Sequence, residues 1–335
     1  MDREQDELQF LGILGIYKES FKIIYNWRKI FSQITLTLIL PLSFIFLAHI
    51  EISNILLSRI LHSELVLDET RGADSAARQK KLSDVINKEW ATYWLFKAAY
   101  FTSMLVFGLL STSAVVYTIA SVYTSREITF QKIMSVVPRV WKRVMITFLC
   151  TFLAFFLYNL LAIVVLVLFV IFNGNGQSNA GDIIGFFLLI LYVIGFVYMT
   201  IIWQLASVVS VLEETRGIKA MIKSKKLLRG NMWVATIIFF KLNVLAAVLQ
   251  FAFQALVVRG EMFGTMGRVG FGVLCLLLLF KLILFALVIQ TVLYFVCKSY
   301  HHEIIDKSAL SDHLEVIYLG DYVPLKSKDV QLEQV

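Results

Sequence analysis

Val144-Met-Ile-Thr-Phe-Leu-Cys-Thr-Phe-Leu-Ala-Phe-Phe-Leu-Tyr-Asn-Leu-Leu-Ala-Ile-Val-Val-Leu-Val-Leu-Phe-Val-Ile-Phe172 runs without a single charged side chain. Wound as a helix it extends roughly 40 Å, more than the hydrocarbon thickness of a bilayer at about 30 Å. A soluble domain has nowhere to bury a segment apolar on every face, so this stretch decides the solvent: it is lipid. Five more blocks of the same kind flank it, giving spans near residues 30–50, 98–123, 144–172, 183–212, 232–258 and 270–297. The whole chain agrees with that reading, with 59% hydrophobic and 16% charged residues and a mean hydropathy of +0.76, against roughly half and one quarter in soluble domains.

Inside lipid every backbone polar group must be paired within the chain, which leaves helices or a closed barrel. Leu, Ile, Val and Phe fill long blocks without the alternation of barrel strands, so the expected fold class is an all-α integral membrane protein of about six transmembrane helices. The first apolar run begins at Ile30, behind the acidic Asp2, Glu4, Asp6 and Glu7, so the first span is expected to direct insertion without a cleavable signal. Three regions follow: a cytosolic amphipathic segment over 1–29, a membrane domain over 30–297 and a cytosolic tail over 298–335.

Orientation comes from the cations. Of 31 Lys and Arg, twenty fall in the N-terminal segment, the 124–143 and 213–231 connections and the tail, which six spans place on one side. The positive-inside rule makes that side, and both termini, cytosolic. The opposite connections include a charged stretch, Glu51 to Trp90, with a polar loop at Asp68-Glu-Thr-Arg-Gly-Ala-Asp-Ser75, and the Gly/Asn-rich turn beginning at Asn173.

Each odd-numbered span is preceded by a basic amphipathic stretch. They are Leu8 to Ile30, Ile128 to Val144 and Ile218 to Met232, each expected as a helix in the membrane interface. A shift of 89 residues aligns Ser121-Val122 with Ser210-Val211, Ser135 with Ser224 and Thr147 with Thr236, with Ser20 in a similar place in the first unit. This suggests three repeats of an in-plane helix followed by a helical hairpin.

The segment Glu213-Glu-Thr-Arg-Gly-Ile-Lys-Ala-Met-Ile-Lys-Ser-Lys-Lys-Leu-Leu-Arg-Gly-Asn231 resembles the stretch after a span in the membrane domain of bacterial glycerophosphodiester phosphodiesterases and related multi-pass families. The catalytic domain of those enzymes has no counterpart here. With Phe31-Ser-Gln-Ile-Thr-Leu36 and the tail Tyr322-Val-Pro-Leu-Lys-Ser-Lys-Asp-Val-Gln-Leu-Glu333, nearly the whole chain resembles a plant family of uncharacterised multi-pass membrane proteins. That resemblance implies residence in the endoplasmic reticulum, a post-Golgi compartment or the plasma membrane, and it carries no mechanism.

The candidate sites are few. Lys241 and Lys281 lie inside the last two spans, where a lysine at the helix centre costs about 2.5–3.5 kcal/mol; with Gln290 they are candidates to line a polar cavity, and snorkelling or pairing is the plain alternative. Lys132, Arg139, Lys142, Arg143, Lys223, Lys225, Lys226 and Arg229 are candidate contacts for anionic lipids of the cytosolic leaflet, though as topological signals they need no such role. Tyr322 with Leu325 has the form of a sorting motif read by clathrin adaptors. Cys150, Cys275 and Cys297 show no metal or disulfide spacing and are expected to be packing residues, with palmitoylation of Cys297 at the membrane edge as the alternative. His301-His302-Glu303 lacks the spacing of a metal site.

No nucleophile elbow, zinc-binding His-Glu-x-x-His or phosphate-cradling glycine loop occurs in the sequence, so neither enzymatic activity nor a cofactor is expected. A pI near 9.2 follows from the cytosolic cations rather than from nucleic-acid binding. The expected function is a non-enzymatic adaptor or scaffold of the endomembrane system, its partners anionic lipids and cytosolic proteins at the tail; the alternative is a transporter or channel for a small solute. A cysteine introduced at Ser75 or Asn175 should react with an impermeant maleimide from the non-cytosolic side, and one at Lys225 should not; the reverse pattern overturns the orientation.

Overall fold

Helix is the only regular structure in the computed structural model among the described residues, 10–70, 76–124, 128–173, 179–260 and 264–301. α1 (Ile13–Asn26) breaks at Trp27 into α2 (Arg28–Ile34), which runs through a π-helical turn, Thr35–Ile39, into α3 (Leu40–Thr70). α4 (Ala76–Tyr123), α5 (Phe130–Asn173) and α6 (Asn179–Leu212) are each continuous. The short α7 (Ile218–Leu227) precedes α8 (Met232–Phe253), which ends in a second π-helical turn, Gln254–Val258, and α9 (Gly264–Tyr300) closes the described chain.

Six helices are long and apolar enough to cross a membrane, over Arg28–Leu67, Lys80–Tyr123, Phe130–Phe172, Ile183–Leu212, Met232–Val258 and Gly264–Tyr300. They coincide in number and order with the six expected spans and are mostly longer. The charged stretch after Glu51 is itself helical as far as Thr70, and α4 takes up the chain again at Ala76, so of the expected polar loop only residues 71–75 fall outside the described structure. Consecutive long helices pair as three hairpins, α3 with α4, α5 with α6 and α8 with α9.

The hairpins converge at one end and splay at the other. At the convergent end α9 is buried without interruption from Val288 to Cys297, whole turns of helix with no outward face. A helix apolar all round needs neighbours all round, and α1, α4, α6 and α8 supply them through Ile16 and Ile23, Val115 and Ile119, Leu205 and Val209, and Ile238 and Phe239. The α5–α6 hairpin leaves this core. The most apolar 18-residue window in each of its helices has no buried residue, and the pair is held by its own zipper, with Phe155 edge-on to Phe196 and Trp203, and Tyr158 stacked on Tyr192. A smaller cluster, Leu47, Phe253, Cys275 and Leu279, ties α3 to the α8–α9 hairpin toward the splayed end.

The second amphipathic stretch departs from expectation. Ile128 to Val144 forms no separate in-plane helix, because α5 runs unbroken from Phe130 through Pro138 into the apolar block. The cause lies in its stripe: Ile133, Val136, Val137, Val140 and Val144, three or four residues apart, lie on one face and stay buried in the same core as the residues beyond them. The helix therefore has no reason to turn. The aligned serines also sit in different surroundings: Ser20 and Ser224 are buried and donate to the carbonyls of Ile16 and Ile202, whereas Ser135 is exposed and donates to Lys132.

Leu293→Ala should lower stability in detergent by about 2–4 kcal/mol through the cavity it leaves, while Leu161→Ala on the exposed hairpin should change it by less than about 0.5 kcal/mol; thermal unfolding of the purified variants measures both.

Candidate functional site

The polar side chains collect in a layer at the convergent end. Glu213, one residue past the end of α6, is the centre of it. Its carboxylate takes the Lys223 ammonium of α7 at 2.6 Å, the Tyr294 hydroxyl of α9 at 2.7 Å and, at 3.7 Å, the Lys298 ammonium one turn later. With only 12% of the Glu213 side chain exposed, the carboxylate lies where losing a partner is costly. One residue joins three elements at the corner where the chain reverses from α6 into α7.

The backbone of that corner is fixed by hydroxyls. Thr147 of α5 and Ser210 of α6 share a hydrogen bond of 2.7 Å, and the Gly217 N–H donates to Thr147 Oγ1 at 2.8 Å. Gly217 has φ +63°, the left-handed region that favours glycine, and a Cβ there would stand 3.1 Å from Cys150 Sγ. Both chirality and space demand glycine at this position. Deeper in the bundle the buried Gln290 amide donates to the Gln204 carbonyl and to Ser207 Oγ at 2.8 Å, which binds α9 to α6.

Gln290 thus acts as a tie between helices. Lys241 and Lys281 are exposed on the outer surfaces of α8 and α9, and neither they nor Gln290 line either of the two cavities described here. The first cavity, about 580 Å³, lies between α5 and α6 above the Tyr158, Asn159 and Tyr192 network, whose polar groups satisfy one another: Tyr158 donates to the Tyr192 carbonyl, and Tyr192 donates to Asn159 Oδ1. The second, about 500 Å³, lies between α3, α8 and α9 and has a salt bridge, Glu51 with Arg268, in its wall.

The basic residues divide in two. Lys223 is held by Glu213, and Lys132 and Arg143 are half-buried. One guanidinium nitrogen of Arg143, Nη1, is shielded from solvent and has no hydrogen-bond partner among the described residues. Arg139, Lys142, Lys225, Lys226 and Arg229 are exposed, as are Lys18, Lys22, Arg28 and Lys29. Large apolar side chains stand exposed beside them: Leu14 (82%) and Phe21 (65%) on the outer face of α1, Ile218 (65%) on α7 and Trp233 (80%) at the start of α8. Each short helix therefore has two apolar faces, one in the core and one turned outward among cations.

Among the described residues no three His, Cys, Asp or Glu side chains lie together as metal ligands would. His301 contacts the Leu227 carbonyl at 3.1 Å, and His302 and Glu303 lie outside the described residues, as do Tyr322 and Leu325. Cys297 is fully buried.

Sequence reading missed Glu213 as a junction because its partners lie ten and more than eighty residues away. A faint local signal existed in Tyr294 and Lys298, which are four residues apart and so share a helix face. Arg268 with Glu51 left no such trace. Over residues 1–335 the chain matches a family described as a domain of unknown function, DUF8558. No curated protein and no solved structure matches it.

Glu213→Ala should destabilise the protein by about 2–4 kcal/mol, because it removes the carboxylate that Lys223, Lys298 and Tyr294 share at the corner. Adding Lys223→Ala to it should cost less than the two single changes together, and chemical unfolding of the four chains of this cycle reads the difference.

Proposed function

The chain belongs to the DUF8558 family over its full length, and on that premise we propose that it is a non-enzymatic, multi-pass membrane scaffold or adaptor whose convergent end lies at the cytosolic leaflet and engages anionic lipids and cytosolic proteins. The observation that carries the reading is the outward face of α1, α7 and the first turn of α8, where Leu14, Phe21, Ile218 and Trp233 stand exposed among Lys18, Lys22, Lys219 and Lys225. Apolar side chains interleaved with lysines suit the boundary between headgroups and acyl chains, where the ring or branched chain dips inward and the ammonium stays with phosphate.

The rest of the architecture supports this setting. Six apolar helices with exposed Phe, Leu, Ile and Val on the splayed hairpins would be an aggregation surface in water and are an ordinary lipid contact in a bilayer. The cations concentrate at the convergent end, which the positive-inside rule orients toward the cytosol. Gln290, a candidate for a solute path, spends its amide N–H groups on bonds between helices, and Lys241 and Lys281 face outward rather than into a shared path, Lys241 near enough to the cytosolic end of its span to snorkel. This weighs against a conduction pathway and toward a framework. The resemblance to plant multi-pass proteins is the basis for placing it in the endomembrane system or plasma membrane.

Two measurements test the reading. Replacing Lys225, Lys226 and Arg229 together by Gln should cut the phosphatidylserine and phosphoinositide that copurify with the chain at least about fivefold, given ~1 kcal/mol per cation near a charged leaflet. Proximity labelling from the C-terminal end in cells should enrich cytosolic partner proteins; an empty neighbourhood together with altered solute flux in a knockout would favour transport instead.

A further inference from the structure

The cavity between α3, α8 and α9 lies at the far end of the bundle from the cationic collar. Its apolar walls come from Phe44 and Leu47 of α3, Phe253 of α8 and Leu276 of α9, and the charged pair Glu51 and Arg268 stands beside them. Three features distinguish it from a packing gap between helices. The first is the carboxylate. Glu51 Oε1 takes the Arg268 Nη2 at 3.3 Å, yet Oε2 is shielded from solvent and has no hydrogen-bond partner among the described residues. A shielded carboxylate oxygen without a donor is costly. The second is the guanidinium. Arg268 spends Nε on the Val257 carbonyl at 2.7 Å and Nη2 on Glu51, and among the described residues nothing takes Nη1, which is left to a ligand. The carbonyl that orients it belongs to the π-helical turn Gln254–Val258, an interruption of regular helix of the kind often found at functional sites. The third is a missing side chain: Gly272 lines the cavity, and a Cβ there would meet nothing within 4 Å.

We propose that this cavity is a binding site for one phosphatidylethanolamine molecule of the non-cytosolic leaflet. The inference rests on the membrane setting proposed above. Glu51 and Val258 end their spans and Arg268 begins the next, so the charged pair stands at headgroup depth while Leu47, Phe253 and Leu276 lead inward. A zwitterion matches the pair group for group: its phosphate takes Arg268 Nη1, and its primary ammonium donates to the Glu51 carboxylate, which turns Oε2 toward the cavity to accept it, both charge-assisted bonds. The local charge stays balanced, as a poorly solvated site requires. One acyl chain covers the apolar wall that Phe44, Val269 and Val273, all exposed, leave open toward the bilayer. A choline headgroup has no N–H to offer Oε2, a glycerol headgroup has no cation, and the extra carboxylate of a serine headgroup would oppose Glu51.

The test uses the full chain in nanodiscs containing equal amounts of dioleoyl phosphatidylethanolamine, phosphatidylcholine and phosphatidylglycerol, released into the gas phase for native mass spectrometry. One retained phosphatidylethanolamine per chain is expected, favoured at least about tenfold over either competitor, as one additional charge-assisted hydrogen bond would give. Glu51→Gln, which keeps an oxygen for Arg268, should bring phosphatidylethanolamine and phosphatidylcholine to parity. Gly272→Phe should abolish retention of either by filling the space. Free phosphoethanolamine at equal concentration should not compete, since it brings no acyl chain.

Absence of preference in the unaltered chain, a preference that survives Glu51→Gln, or displacement by free phosphoethanolamine each overturns the proposal. Should Gly272→Phe fail to fold, the Glu51→Gln comparison still decides. Alkaline carbonate extraction of native membranes run alongside separates the two readings: release of the chain refutes the membrane setting itself, whereas a chain that stays embedded without lipid preference refutes this site alone.

Discussion

The ten-residue run Val288 to Cys297 has no outward surface, and the rest of the architecture is arranged around that constraint. A helix buried on every side needs neighbours on every side, and here it is the last helix of the described structure. The earlier helices therefore leave a socket at one end of the bundle, lined by α1, α4, α6 and α8, for α9 to fill. Two of its neighbours are joined to it by polar bonds as well, through Gln290 to α6 and through Tyr294 to the Glu213 corner. These bonds have direction where apolar packing has none, and they set the rotation of α9 about its axis.

Splaying at the opposite end follows from the same economy of contact. In the bilayer setting proposed above, helices gain no hydrophobic advantage by meeting, so they associate where side chains interlock or polar groups pair and part where they do not. The α5–α6 hairpin meets that condition only within itself, through stacked and edge-on aromatics and the Tyr158, Asn159 and Tyr192 network. The first and third hairpins meet it twice, at the common core and again at Leu47, Phe253 and Leu279 beside the Glu51 and Arg268 pair. The cavity at that second junction is bordered by Gly272, which supplies no side chain to fill it, and by Val257 of the π-helical turn.

The corner between α6 and α7 shows how a loop of five residues, Glu213 to Gly217, is held without regular structure. Gly217 turns through the left-handed region, its N–H is caught by Thr147, and Glu213 gathers one cation from α7 and one from α9. α7 is thereby pressed against the bundle along Ala220, Ser224 and Leu227 while its opposite face keeps Ile218 and Ile222 exposed. A helix that needs one face for the core and shows a second apolar face outward gives the proposed interfacial role a physical footing.

How much of this the sequence held depends on the range of the interaction. Length, apolarity and charge spacing are local quantities, and they sufficed for the six long apolar helices, for α1 and α7 as separate amphipathic pieces, and for the gathering of cations at one end. They misjudged Ile128 to Val144, where a local basic pattern pointed to an in-plane helix and a buried stripe shared with the following turns kept α5 continuous. Lys241, Lys281 and Gln290 were grouped because each is polar in an apolar block, but which way a side chain faces depends on the neighbour a helix meets, and the fold turned the lysines outward and the glutamine inward. Glu213 with Lys298, and Glu51 with Arg268 across more than two hundred residues, carry no periodicity by which they could be found. The sequence by itself determined that the chain is a set of long apolar helices with a basic end, because those properties are written residue by residue; only the tertiary structure decided which polar groups are tied together and where space is left between helices, because both depend on the convergence of segments far apart in the chain.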